Sequence, residues 1–259
     1  MTTSTIAWRR AVWSTIFGIS EALTFAVQLC GNFIVQSYCE GRDPMKPNSI
    51  TALIMVAIIG GMSVPLALWL ARDPARFWTE LLGFGPDLAS IPWGWLLAVT
   101  VAAAYIGYTF WAVPFVRRTA FELNTLKALA VPLAIVTGTL EELIFRKFLM
   151  DGLSGIGAAW WVQAAAAALA FGLAHSVWVM FSRDLAIIAP VAISTTVLGG
   201  ALAIVYLASD RLILPAILAH IIINLVIEPA LLRSSLTGLW REAAEAPGNV
   251  GGRTVDTAV

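Results

Sequence analysis

Long apolar runs, broken by short polar stretches, fill most of this chain. A helix that crosses a bilayer needs about 20 mostly apolar residues. By that measure about seven stretches qualify, within a range of about six to eight. They run from Trp13 to Tyr38, Ile50 to Leu70, Trp93 to Val116, Leu126 to Met150, Ala158 to Phe181, Leu185 to Leu207 and Leu212 to Leu232. Tryptophans sit near their ends (Trp13, Trp69, Trp93, Trp111, Trp160, Trp161 and Trp178), where amphipathic rings favour the membrane interface. The pattern predicts an all-α, polytopic transmembrane bundle. The first run is too long for a signal-peptide core and lacks a small-residue cleavage site, so it reads as a retained helix.

Two segments depart from the spanning pattern. Between Asp73 and Phe84, the apolar residues Phe77, Trp78, Leu81 and Leu82 alternate with Asp73, Arg76 and Glu80. That spacing suits a short amphipathic helix in the headgroup region, and equally a solvated connecting helix. From Ser234 onward the chain is polar, with Pro247 and glycines around Gly251, the composition of a disordered tail. The reading is one transmembrane domain over residues 1–233 and a tail over 234–259. No internal repeat and no second soluble domain is visible.

Composition agrees. Hydrophobic residues make up 59% of the 259 and charged residues only 12%, against about a quarter charged in soluble domains. The formal net charge is zero, so nothing marks a nucleic-acid partner; the bilayer is the partner implied. Cys30 lies in an apolar run and Cys39 is the only other cysteine, so a structural disulfide is not expected. Basic residues near the span ends are too evenly shared to set an orientation.

Against this background the intramembrane ionisable groups stand out, because charge at membrane depth is costly and marks function by default. Glu141 and Glu142 are adjacent, so on a helix they point about 100° apart. Arg146 is four residues beyond Glu142 and shares its face, which leaves Glu141 turned elsewhere. The alternative is a set of interfacial charges at a helix end, to which Lys147 and Asp151 would belong. The fifth run carries Phe171 and His175 on one face, and the seventh carries His220 and Asn224, with Glu228 a turn further and Pro229 after it. His175 and His220 are the only histidines. Polar groups on separate spans should meet one another rather than lipid, and Ala164 to Ala168 with nearby glycines would let helices approach closely. In the first run Gln28 and Asn32, one turn apart, read as packing contacts, and Glu21 as a partner for an arginine near a helix end.

A carboxylate and a neutral imidazole can together orient and deprotonate a water. A second histidine with an asparagine can donate hydrogen bonds to the oxyanion of a tetrahedral intermediate. Alternatively Glu141, His175 and His220 can hold a zinc ion that activates the water. The serines Ser154, Ser176 and Ser194 are scattered, and no nucleophile-elbow pattern occurs.

These residues resemble the signature of the CPBP family of intramembrane proteases, which includes the CAAX prenyl endopeptidases and bacteriocin-processing or immunity proteins. Its first motif, E-E-x-x-x-R, reads Glu141-Glu142-Leu143-Ile144-Phe145-Arg146. The second, F-x-x-x-H, reads Phe171-Gly172-Leu173-Ala174-His175, and the third, H-x-x-x-N, reads His220-Ile221-Ile222-Ile223-Asn224. The resemblance covers roughly residues 126–228. It implies an intramembrane endopeptidase acting on a peptide or lipid-adjacent protein. Glu141 and His175 would activate water, His220 and Asn224 would stabilise the oxyanion, and Glu142, Arg146 and Phe171 would support them. Metal-dependent and metal-free glutamate mechanisms both remain open, as does the substrate. Two other functions compete: a non-catalytic membrane scaffold or immunity-type protein, and, ranked last, a proton-coupled transporter, for which Pro65 and Pro190 are weak hints of broken helices.

Overall fold

The computed structural model describes residues 47–176 and 185–237. Among them every regular element is helical. The first expected span, with Glu21, Gln28, Asn32 and both cysteines, lies outside the described residues, as do residues 177–184 and the chain after Thr237.

Seven helices carry the fold of the described residues: α1 (Pro47–Arg72), α2 (Pro92–Ala112), α3 (Pro114–Thr119), α4 (from Thr125), α5 (Trp160–His175), α6 (Ile188–Ala208) and α7 (Leu214–Thr237). Helix α4 is α-helical to Glu142, widens into a π turn over Leu143–Met150 and closes with Asp151–Ser154. Five of these, α1, α2, α4, α6 and α7, are long and apolar enough to cross a membrane. Helix α5 has 16 described residues, fewer than a full crossing requires.

Local chemistry accounts for the boundaries. Asn124 caps α4 by accepting the Lys127 N–H at 3.0 Å, which satisfies one of the orphan donors of a helix start. Pro114 divides the expected third span: Val113 leaves the helix at φ −130°, because a proline ring disfavours helical backbone in the residue before it. Pro229, by contrast, does not end α7, which runs on through Ser234 to Thr237. The polar tail therefore does not begin at Ser234, and Ser234 and Ser235 are buried. A proline has no N–H for the carbonyl four residues back, here that of Leu225. The Lys127 ammonium donates to that carbonyl oxygen at 2.6 Å, so α7 continues without an orphaned acceptor.

The segment after α1 is helical, as its spacing predicts. Pro74–Arg76 and a π turn at Phe77–Leu81 form a short helical piece. Phe77, Leu81 and Leu82 are buried in a core cluster with Leu143, Phe148 and Met150. Only Trp78 of the apolar face is exposed. Most of the apolar stripe thus packs against α4, with Trp78 left at the surface.

Helices α4 and α7 form the inner pair. Half of each spanning window is buried within the protein, against 17% for α2. Around them α1 packs on α4, α2 on α6 and α7, and α5 on α6 and the π turn of α4. Trp93, Trp111, Trp160 and Trp161 point outward from helix ends, as interface residues do. At one end Arg211 donates to Asp151 and to Gln163, each at 2.6 Å, and Tyr206 donates to Asp151 at 2.9 Å. This group ties the ends of α4, α5 and α6 to the α6–α7 turn.

Close approach is made by glycines. A Cβ on Gly138 would lie 3.2 Å from the Ile221 backbone nitrogen, and one on Gly172 only 2.7 Å from the Ala192 carbonyl oxygen. The first contact sets α4 against α7 beside His220. The second sets α5 against α6 one turn from His175.

Candidate active site

Glu141 and Glu142 close the α-helical part of α4, immediately before its π turn. In a π turn each N–H reaches the carbonyl five residues back, and such widenings recur at functional sites. The wide turn lines up residues four apart, and Arg146 Nε lies 3.1 Å from Glu142 Oε2 with both side chains wholly buried. Arg146 also donates through Nη2 to the Gly199 carbonyl of α6 at 3.0 Å. Its guanidinium lies over the Phe171 ring, 5.0 Å from the centroid. The pairing expected between Glu142 and Arg146 is present, and it is a core contact instead of an interfacial one.

Phe171 is the platform on which the site is stacked. Its ring is 4.3 Å from the His175 ring and 5.5 Å, edge-on, from that of His220. It packs edge-on with Phe145 as well. One buried ring therefore orients both imidazoles and the guanidinium.

The histidine protons follow from their partners. His175 Nδ1 is 2.8 Å from the Phe171 carbonyl oxygen. A carbonyl only accepts, so Nδ1 carries the proton and donates. His220 Nδ1 is 2.9 Å from Glu142 Oε1, and a carboxylate likewise accepts. Both rings therefore present Nε2 to the remaining carboxylate: Glu141 Oε2 is 3.7 Å from His175 Nε2 and 3.8 Å from His220 Nε2. Those separations are too long for direct hydrogen bonds, and Glu141 Oε2 is buried with no hydrogen-bond partner among the described residues. Glu141 and His175 are 17% and 19% exposed, while His220 is 1% exposed, so the approach is from the Glu141–His175 side.

Asn224 lies one turn beyond His220 on α7. Its Nδ2 donates to Thr137 Oγ1 at 3.2 Å. The Thr137 hydroxyl gives its own proton to the Leu133 carbonyl at 2.9 Å, which leaves Oγ1 to accept and so orients the amide. The second N–H of Asn224 stays available. Among the described residues Glu141, His175 and His220 meet directly, whereas Asn224 joins them only by its place on α7.

Two imidazoles and a carboxylate are chemically suitable zinc ligands, but such ligands lie about 2.0–2.2 Å from the ion. Among the described residues no three His, Cys, Asp or Glu side chains are arranged to hold a metal. A guanidinium beside Glu142 also adds positive charge where a dication would sit. The chemistry below is built from the side chains alone.

Residues 124–226 match the family model described as type II CAAX prenyl endopeptidase Rce1-like. The chain carries an Rce1-like domain. The matched segment spans α4 to most of α7 and contains all three motifs, in agreement with the CPBP resemblance. The match falls in a membrane-integral family, and five helices among the described residues are long and apolar enough to cross a membrane, so this is an integral membrane protein. No curated protein and no solved structure matches the chain. Sequence reading had passed over Thr137, although it precedes Glu141 by one turn and so lies on its face. It had also passed over Gly199, which acts through a backbone carbonyl and leaves no side-chain signal.

Proposed function

We propose that this protein is an intramembrane endopeptidase that hydrolyses a peptide bond of a membrane-associated substrate with a water held by Glu141 and His175. The observation that carries the reading is the convergence of both Nε2 atoms on Glu141 Oε2, at 3.7 and 3.8 Å. A water admitted beside these atoms would donate one proton to the Glu141 carboxylate and the other to His175 Nε2.

The steps balance without a covalent enzyme intermediate. The water oxygen attacks the scissile carbonyl carbon, and Glu141 takes the water's proton. The carbonyl oxygen becomes an oxyanion facing α7. There Asn224 donates its free N–H, and His220, which enters the step already carrying a proton on Nε2 as well as on Nδ1, donates from Nε2 and keeps both protons throughout. Since Nδ1–H stays on Glu142, that form of His220 needs a countercharge, which Glu142 supplies. Collapse of the intermediate breaks the C–N bond, and the proton on Glu141 passes to the leaving amine. Arg146 and Phe171 hold Glu142 and the two rings in place. Prenylated CAAX proteins are one substrate class compatible with the family match.

The test is peptide cleavage by the purified protein in detergent, comparing wild type with Glu141→Gln, each with and without a chelator. Glu141→Gln keeps the volume and removes the base, so a loss of about 10²–10⁴-fold is expected, with activity indifferent to the chelator. An active Glu141→Gln protein would eliminate this mechanism. Chelator-sensitive activity would select the zinc alternative.

A further inference from the structure

One carboxyl group in the bundle takes no part in that chemistry. Glu228 follows Asn224 by one turn of α7, so His220, Asn224 and Glu228 descend one side of the helix. Its Oε2 is buried, and no hydrogen-bond partner reaches it among the described residues. A buried acceptor without a donor costs about 1–3 kcal/mol. Among the described residues nothing offsets that cost, which marks Glu228 as a candidate for contact with a ligand.

Hydrolysis does not need it as an acid or base. The proton taken from water by Glu141 returns to the leaving amine, and the balance closes. A means of holding the substrate is what the catalytic set lacks. A peptide bond open to attack lies in an extended segment, whose N–H groups have no partners inside a bilayer. Helices beside a bound peptide have their own backbone groups already paired, so a side chain must do the accepting. Helix rise is about 1.5 Å per residue and extended chain about 3.3 Å. Glu228, about 9 Å along α7 from the midpoint of His220 and Asn224, is thus level with a substrate position roughly three residues from the scissile bond.

We propose that Glu228 is a substrate-binding residue whose carboxyl accepts a hydrogen bond from an N–H group of the peptide, about three residues from the cleaved bond. The proposal rests on the endopeptidase reading for its ligand class. The donor has two sources: the main-chain N–H at that position, or a cationic side chain there.

Binding in a catalytically silent background separates this idea from the question of cleavage. Fluorescent peptides are titrated into Glu141→Gln protein and into the Glu141→Gln/Glu228→Leu double variant, with unfolding midpoints checked for both. One peptide set is N-methylated singly at two to four residues from the scissile bond; another replaces Lys by norleucine at the same positions. Glu228→Leu is expected to raise Kd about tenfold, the value of one such hydrogen bond. A single N-methyl position should weaken binding about tenfold only when Glu228 is present. If norleucine does so instead, the donor is a side chain. Glu228→Gln, which keeps an acceptor oxygen, should restore most of the affinity and rules out simple misfolding. Equal affinities with and without Glu228, or no peptide binding by either protein, would overturn the proposal. Glu228-dependent binding with no cleavage by wild type would sink the endopeptidase reading alone.

Discussion

Glu142 has one partner for each of its oxygens: Oε1 faces His220 Nδ1 at 2.9 Å and Oε2 faces Arg146 Nε at 3.1 Å. The residue that looked like Arg146's counter-ion is also what orients His220. Removing one member of a buried ion pair typically costs about 3–5 kcal/mol, because the other charge is left uncompensated. Arg146→Met is therefore expected to lower stability by about that amount, read by denaturant unfolding in detergent. The double variant Glu142→Gln/Arg146→Met should recover much of the stability but little of the cleavage, since His220 then lacks its carboxylate. Equal stability of Arg146→Met and wild type would show that the pair does not hold the core.

At the scale of the element, α7 persists through Pro229 because another helix completes it. Leu225 would be left with an unsatisfied carbonyl, and Lys127 of α4 supplies the donor at 2.6 Å. Lys127→Met should cost about 1–3 kcal/mol, the penalty for an orphaned buried acceptor. In a Pro229→Ala background the backbone N–H returns, and the same Lys127→Met change should cost far less. A double-mutant cycle on unfolding free energies measures that coupling; additive effects would mean that Lys127 serves some other purpose. The π turn of α4 is the second such element. It begins at the residue after Glu142 and ends at Met150, so the widening coincides with the Glu142–Arg146 pair.

For the whole molecule, site geometry depends on how closely α4 and α7 approach. Gly138 admits the Ile221 backbone at a place where any Cβ would sit 3.2 Å from its nitrogen, and Ile221 adjoins His220. Gly138→Val should therefore separate the helices, at about 1–3 kcal/mol in stability. It should also lower kcat at least about tenfold, since small misplacements of reacting groups are costly. Cleavage kinetics beside an unfolding curve would check this. Wild-type kcat in a folded Gly138→Val protein would show that the approach is not critical.

Much of this was legible in the chain. Apolar runs of bilayer length marked α1, α2, α4, α6 and α7, and four-residue spacing placed Glu142 with Arg146, Phe171 with His175, and His220 with Asn224. Those are local properties: hydropathy and helical period act within a single segment and need no partner. For the short helix after α1 two readings stayed open, because its apolar stripe fits lipid and protein equally well; the structure adds that Leu143 and Phe148 pack in the same cluster. The continuation of α7 beyond Leu232 to Thr237 was not legible, because Pro229 is a helix breaker by itself and is tolerated here with Lys127 opposite. Sequence by itself determined the class of protein, the helices and the faces on which the reactive groups lie. Only the tertiary structure decided which oxygen meets which nitrogen, which histidine nitrogen carries the proton, and that Thr137 and Gly199 belong to the site. Those choices are set by backbone separation between helices remote in sequence, and no local pattern encodes that distance.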